Sequence, residues 1–203
     1  MKIALIGASG SVGSRIAAEA LARGHQLTAV ARHTDRLKAQ DHMTAHDGDI
    51  AQPGALGALL RGHDVVVSAV RFVAFDVQQL LQALALAGGP RLVMVGGAGS
   101  LLNSADIALV DAPGFPEAFK AEAQAGARTL AALRSHPDAD WTFISPSALF
   151  APGERTGRYR VGGDHLLVAS DGKSHISQED FAVALLDEVE SPKHRRSRFT
   201  VGQ

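Results

Sequence analysis

Cysteine is missing from this chain of 203 residues. The absence excludes disulfide bonds, thiol catalysis and any metal site that is ligated by cysteine. Histidine could still bind a metal, and His42 and His46 stand four residues apart. The sequence between them looks like a strand, which would not place both rings on one helical face, and no third ligand follows at a convincing spacing. We therefore expect no metal site.

The chain also lacks an excess of charge of one sign and any long apolar run. Its 20 basic and 21 acidic residues give a net charge of −1, which provides no general attraction to nucleic acid or anionic lipid. The apolar stretches are broken well short of a membrane span. No residues precede the first predicted strand, which leaves no room for a signal peptide. We expect a cytoplasmic protein that partners neither nucleic acid nor membrane.

The composition is that of an ordinary globular protein, with 46% hydrophobic and 20% charged residues. A chain of this length can bury one sizeable core, and a second independent domain would have little room. We therefore expect a single domain over residues 1–203.

The most informative segment is a glycine-rich turn near the start of the chain. An apolar run ends at Gly7, glycines follow at positions 10 and 13, and a helix-like segment begins. Gly7 permits a tight strand-to-helix turn, Gly10 lets the backbone approach a pyrophosphate, and Gly13 lets the helix pack closely on the strand. The N–H groups at the helix start would then face the phosphates. The predicted cofactor contacts in this turn are Gly7, Ser9, Gly10, Ser11, Val12 and Gly13.

Short apolar runs alternate with helical stretches along the rest of the chain. Most runs are continuously apolar, as expected for parallel strands that are covered on both faces. The pattern predicts an α/β, Rossmann-like, doubly wound parallel sheet with helices on both faces. The predicted strands are 3–6, 27–31, 43–45, 65–69, 92–95, 141–144 and 198–201. The predicted helices are 11–23, 53–60, 76–87, 116–135 and 178–190.

One segment, residues 146–175, departs from this alternation because it is rich in glycine, charge and aromatic residues. We interpret it as short strands and loops that form a small C-terminal substrate lobe within the single domain. A purely structural cap is the alternative. The segment that follows it, Ser177 to Asp180, has the spacing of a helix cap.

The second predicted strand ends at Arg32, where NAD-binding proteins of this fold usually carry a carboxylate. A guanidinium can make charge-assisted contacts with the 2′-phosphate of NADP, and Arg36 could add a second positive charge. The sequence therefore favours NADP(H), with NAD(H) as the alternative. Arg32 could also be a solvated loop residue.

Two further sets of cofactor contacts follow from the expected fold. After the third strand, Asp49 could meet the adenine amino group and Ile50 the ring face. After the fourth strand, Ser68, Ala69 and Val70 would pass beside the adenosine ribose and the pyrophosphate. Asp49 could instead serve only as the cap of an acidic loop.

These segments resemble the short-chain dehydrogenase/reductase superfamily, in particular its atypical branch of small NAD(P)-binding proteins. That branch includes NmrA-like proteins, epimerase-like proteins, and flavin or biliverdin reductases. The segments that carry the resemblance are residues 7–13, 32, 49–50, 93–100, 141–147 and 176–182. The resemblance implies hydride transfer as the ancestral chemistry, with a flavin or a quinone-like compound as the acceptor. It also implies further cofactor contacts at Gly96 and Gly97, and at Pro146, Ser147 and Ala148 near the nicotinamide.

The chain departs from this superfamily at the catalytic pair. Active dehydrogenases of the superfamily use Tyr-x-x-x-Lys, and aligning Lys120 with that lysine places Pro116 where the tyrosine should be. The only tyrosine, Tyr159, lies in the irregular segment, and Ser100 stands three residues after the position expected for the catalytic serine. Ser100 and Lys120 are therefore weak catalytic candidates. Lys120 could hold the nicotinamide ribose or be an ordinary solvated lysine.

Loss of the tyrosine does not exclude reduction of a flavin or quinone-like acceptor. Such a reaction needs mainly proximity and orientation, since solvent can supply the proton. Aromatic side chains could form a stacking surface, and an arginine could meet a phosphate or carboxylate. The candidate substrate-binding residues are Arg71, Phe72, Phe115, Phe150 and Tyr159.

The leading hypothesis is therefore an NADP(H)-dependent oxidoreductase with a small-molecule acceptor. One alternative is a redox sensor without catalysis that reports to a regulatory protein partner, as NmrA-like relatives suggest. Another is an epimerase-like enzyme, which the short C-terminal portion disfavours. A homodimer is compatible with all of these.

Overall fold

The computed structural model describes residues 1–136 and 138–203, except for the side chain of Arg36. Within this part, ten strands and five α-helices are present. The strands are β1 Lys2–Ile6, β2 Gln26–Ala31, β3 Met43–Asp47, β4 Val65–Ser68, β5 Arg91–Val95, β6 Trp141–Pro146, β7 Leu149–Ala151, β8 Arg160–Gly162, β9 His175–Ser177 and β10 Ser197–Gly202. The helices are α1 Ser11–Ala22, α2 Pro53–Leu60, α3 Val77–Leu86, α4 Glu117–Ser135 and α5 Gln178–Glu190.

Eight of these strands form one sheet in the order β3-β2-β1-β4-β5-β6-β10-β8. All neighbours pair in parallel except β8, which runs antiparallel to β10. The strand order reverses between β1 and β4, so the connections after these two strands leave in opposite directions. Such a reversal opens a crevice at the carboxyl ends of the strands.

Helices cover both faces of the sheet, which explains why the central strands β1, β4 and β5 are almost continuously apolar. On one face, Ile16 of α1 and Phe181 of α5 are buried in a common core with β1 and β10. On the other face, the core includes Leu56 of α2, Leu80 of α3 and Leu130 of α4. The predicted doubly wound sheet is confirmed, and the ends of the predicted elements differ from the observed ones by two residues at most.

The irregular segment 146–175 is tied to the sheet and to α5. Strand β8 extends the sheet, and β7 and β9 form a separate parallel pair. The buried carboxylate of Asp180 accepts hydrogen bonds from the backbone N–H groups of Thr156 (2.8 Å) and Gly157 (2.7 Å). The Ser177 hydroxyl accepts from the Asp180 N–H (3.0 Å), as the capping pattern predicted.

No helix in the described part of the chain has the length and apolar content to cross a membrane.

We expect Asp180→Ala to lower the free energy of unfolding by about 1–3 kcal/mol, because four partly buried hydrogen bonds lose their acceptor. The Thr156 hydroxyl (2.6 Å) and the Gln203 amide (2.7 Å) also donate to this carboxylate. Urea unfolding measures the loss, and Asp41→Ala at an exposed position is the control. An unchanged unfolding midpoint would contradict the role of Asp180 in holding the loop.

Candidate functional site

The turn between β1 and α1 is built from backbone atoms. Gly7 has φ +88°, a left-handed conformation that favours glycine. Its N–H donates to the Val30 carbonyl (2.8 Å), and the Gly10 N–H donates to the Gly7 carbonyl (3.0 Å). These bonds fix the loop between β1, β2 and the start of α1.

Gly13 allows α1 to approach this turn closely. A Cβ built at Gly13 would lie 2.1 Å from the Gly7 carbonyl oxygen, so no other residue fits without moving the helix. Gly10 caps α1 without any side-chain hydrogen bond. The N–H groups of the first turn are therefore open to an anion, and the positive end of the helix dipole reinforces them.

A cavity of about 220 Å³, here called the first cleft, begins at this turn. Its walls come from the carboxyl ends of β1 and β2 and from the loops after β3 and β4. Eight predicted cofactor residues line it: Gly7, Ser9, Gly10, Arg32, Asp49, Ile50, Ala69 and Val70. The first cleft therefore unites the glycine turn with the predicted adenosine contacts.

Arg32 is exposed at the end of β2 and lines the first cleft. Within the described residues, its guanidinium makes no hydrogen bond or ion pair. The carboxylate of Asp47 holds the next turn, because it accepts from the N–H (3.0 Å) and the hydroxyl (2.8 Å) of Thr34. The side chain of Arg36, predicted as a second positive charge, lies outside the described residues.

Asp49 combines a local structural role with a position on the first cleft. One of its carboxylate oxygens accepts from the Ala51 N–H (2.9 Å), which shapes the loop before α2. The side chain is only half-buried and lines the cleft beside Ile50. The capping role and a ligand role are therefore compatible.

Other predicted cofactor residues do not line the first cleft. Ser11, Val12 and Gly13 form the first turn of α1, and the Ser11 hydroxyl donates to Gln178 (2.7 Å). Four other predicted cofactor residues are buried at or near the ends of strands and do not line the first cleft. These residues are Ser68, Gly96, Pro146 and Ser147.

A second cavity of about 510 Å³ lies on the other side of the segment that follows β4. Arg71, Ala74 and Phe75 of this segment line the first cleft, whereas Phe72 lines the second cavity. The loop after β5 and one face of α4 form the remaining walls. Its lining includes five predicted residues: Phe72, Gly97, Ser100, Phe115 and Ala148.

Close packing of glycines against aromatic rings fixes the wall at Phe72. This ring stacks on Phe143 with centroids 5.8 Å apart, and a Cβ at Gly126 of α4 would come within 2.9 Å of it. Glu122 of α4 accepts hydrogen bonds from the N–H groups of Phe72 (2.7 Å) and Val73 (3.2 Å). The sequence reasoning missed Glu122, Phe119 and Gly126, although their spacing with Pro116 predicts one face of a helix.

The structure does not bring together all five predicted substrate residues. Phe150 packs against Phe181 in the core (centroids 4.8 Å), and the Tyr159 hydroxyl donates to Asp187 of α5 (2.5 Å). Burial and the bond to Asp187 raise the pKa of Tyr159 well above its usual value. Arg71 lines the first cleft and not the second cavity. Phe72 and Phe115 therefore remain as the predicted residues on the second cavity.

The two weak catalytic candidates lie in different surroundings. Lys120 does not line either cavity, and its ammonium lies 3.5 Å from Glu117. Ser100 lines the second cavity, where its hydroxyl lies 3.5 Å from the guanidinium of Arg198. Arg198 is buried and paired with Asp164, and burial lowers the pKa of its guanidinium. Pro116 itself lines the cavity at the start of α4.

Comparison with known proteins shows that the chain matches the NAD(P)H-binding family over residues 7–192 and belongs to that family. A candidate exported protein from Burkholderia pseudomallei is 43% identical, with full coverage of both chains and a TM-score of 0.90. A candidate epimerase from Bacteroides thetaiotaomicron is 40% identical over 99% of this chain and 96% of its own, with a TM-score of 0.93.

A candidate NADH-flavin reductase from Streptococcus pneumoniae is 34% identical over 100% of this chain and 99% of its own, with a TM-score of 0.85. The resemblance to small, atypical NAD(P)-binding reductases is thereby confirmed. The identity of the acceptor does not follow from these similarities.

We expect Gly13→Ala to weaken NADPH binding at least about tenfold, because its Cβ would push α1 away from the Gly7 carbonyl. Calorimetric titration measures the affinity. Gly54→Ala is the control, since a Cβ there meets nothing within 4 Å. Equal affinities of the two variants would contradict this account of the glycine turn.

Proposed function

We propose that this protein is an NADP(H)-dependent reductase that reduces a small, flat acceptor of the flavin or quinone type. The adjacency of the two cavities is the observation that carries the proposal. The first cleft combines uncapped backbone N–H groups that suit a pyrophosphate with the exposed guanidinium of Arg32, and the second cavity is mainly apolar. The segment after β4 lines both of them, with Arg71 and Phe75 on the first cleft and Phe72 on the second cavity.

The cofactor fits the first cleft on observations of this structure. The approach of Gly13 to Gly7 exposes the uncapped start of α1, which suits a pyrophosphate. Arg32 would bind the 2′-phosphate of NADP, and Asp49 and Ile50, which line the same cleft, would meet the adenine. When bound, the reduced nicotinamide supplies two electrons and one proton as a hydride.

The nicotinamide end would lie toward Gly97 and Ala148, which line the second cavity. This placement agrees with the contacts near the nicotinamide that the family resemblance implies for Pro146, Ser147 and Ala148. Phe72, Phe115 and Phe119 would hold the acceptor against that end. The acceptor gains the hydride from the cofactor and a second proton from solvent, so its reduction needs no side-chain acid.

The side chains on the second cavity agree with a reaction that takes its hydride from the cofactor and its proton from solvent. Ser100 carries the only hydroxyl among the lining residues of the described chain, and the carboxylate of Glu122 is engaged by two backbone N–H groups. Neither group replaces the acid–base pair of a dehydrogenase. The contribution of the protein is to hold two flat molecules in contact. A cytoplasmic location would supply the reduced cofactor.

Consumption of NADPH with riboflavin, FMN or a naphthoquinone tests the proposal directly. We expect enzyme-dependent loss of nicotinamide absorbance with at least one of these acceptors. Tight NADPH binding without turnover on any of them would remove the reductase and favour the redox sensor.

We expect Arg32→Asp to weaken NADPH binding by about 1–3 kcal/mol and to leave NADH binding nearly unchanged, because only NADPH carries the 2′-phosphate. Calorimetry with both cofactors measures the difference. Arg158→Asp, at an exposed position of the lobe, controls for the change in net charge. An equal loss for both cofactors would show that Arg32 does not recognise the phosphate.

We expect Ala127→Leu to raise the KM for the acceptor about tenfold, because the added atoms fill part of the second cavity. The dissociation constant of NADPH should stay the same, since Ala127 does not line the first cleft. Ala131→Leu, an exposed change one turn further along α4, is the control. If Ala127→Leu weakened NADPH binding as much as it raised the KM for the acceptor, the assignment of the second cavity to the acceptor would be contradicted.

A further inference from the structure

We infer that the second cavity selects an acceptor without negative charge, and that Glu122 is the residue that determines this specificity. The inference rests on the proposed function, because it names the class of acceptor for the same cavity. An uncharged, flat, quinone-type ring is the substrate class that fits. Acceptors with a phosphate, sulfonate or carboxylate on the part that enters the cavity are disfavoured.

The first observation is the charge on the cavity wall. Among the described residues that line it, Glu122 is the only ionisable one, and no lysine, arginine or histidine contributes. Phenylalanine, proline, alanine and glycine make up most of the remainder. An anion that left water for this cavity would find no cation to replace its hydration.

The second observation is that the carboxylate of Glu122 is held in place. It accepts from the N–H groups of Phe72 (2.7 Å) and Val73 (3.2 Å), at the start of a short 3₁₀ helix, residues Phe72–Ala74. A side chain with two such bonds cannot swing aside to admit an anion without breaking them. The negative charge is therefore a fixed property of the wall.

The third observation concerns the nearest cations. Arg71 lies 3.7 Å from Glu122, but its side chain is 77% exposed and borders the first cleft, where it would meet the cofactor. Arg198, behind Ser100, is buried and paired with Asp164. Lys120 is beside Glu117 and does not line the cavity. None of the three offers a free positive charge to the acceptor.

The shape of the cavity agrees with a flat ring. Phe72, Phe115 and the exposed Phe119 supply aromatic surface, and the backbone of Gly97 to Gly99 supplies a wall without bulky side chains. A volume of about 510 Å³ lies within the usual range for sites of small molecules. Aromatic rings pack well on such surfaces.

The test compares a naphthoquinone with the same ring carrying a sulfonate, because the charge must then enter the cavity with the ring. With saturating NADPH, we expect kcat/KM for the neutral quinone to exceed that for the sulfonate at least about tenfold. A sulfonate makes the ring a stronger oxidant, so intrinsic reactivity would give the opposite order.

Glu122→Gln removes the charge and keeps an oxygen that can accept a backbone hydrogen bond. We expect it to raise kcat/KM for the sulfonate, relative to kcat/KM for the neutral quinone, about tenfold. Glu117→Gln, which changes an exposed carboxylate on the same helix, should leave this ratio unchanged. If Glu122→Gln does not fold, the discrimination of the native protein should still decrease as salt is added.

Two outcomes would overturn the inference: preference of the native protein for the sulfonate, or equal effects of Glu122→Gln on both quinones. Should neither quinone be reduced, calorimetric titration in the presence of NADP still compares the binding of the neutral quinone and its sulfonate. Selective binding of the neutral quinone without turnover would support charge selection while removing the reductase. Equal binding of the two quinones would overturn the charge selection itself.

Discussion

The close approach of α1 to the turn after β1 is the constraint on which the rest of the site depends. A Cβ at Gly13 would lie 2.1 Å from the Gly7 carbonyl, so the distance between helix and turn is set by the absence of a side chain. That distance brings the uncapped first turn of α1 to the carboxyl edge of the sheet. The same edge carries Arg32 after β2 and Ala69 after β4, and both line the first cleft together with the glycine turn.

In the proposed function, the cofactor and the acceptor bind in two separate cavities. The segment after β4 is the partition, with Arg71 and Phe75 on one side and Phe72 on the other. Glu122 holds this partition from α4 through two backbone N–H groups. With Pro116 at the start of α4 in the place of a tyrosine, the helix contributes shape and charge to the second cavity. Chemistry that needs only proximity is compatible with this arrangement.

The sheet, its helices and the glycine turn could be predicted from the sequence because their signals are local. A buried parallel strand such as Val65–Ser68 is a continuous apolar run, and glycine spacing reports backbone geometry directly. The directions of single aromatic side chains could not be predicted, because distant partners decide them. Tyr159 is turned toward Asp187 and Phe150 toward Phe181, both on α5. Glu122 was missed because its partners are backbone groups fifty residues earlier in the chain.

A crystal structure of the protein grown with NADPH tests the central claim most directly. The account predicts pyrophosphate oxygens within hydrogen-bond distance of the first-turn N–H groups of α1, and the 2′-phosphate beside the guanidinium of Arg32. The nicotinamide ring should face Gly97 and Ala148. A nucleotide bound away from the start of α1, or with its adenosine outside the first cleft, would contradict the account.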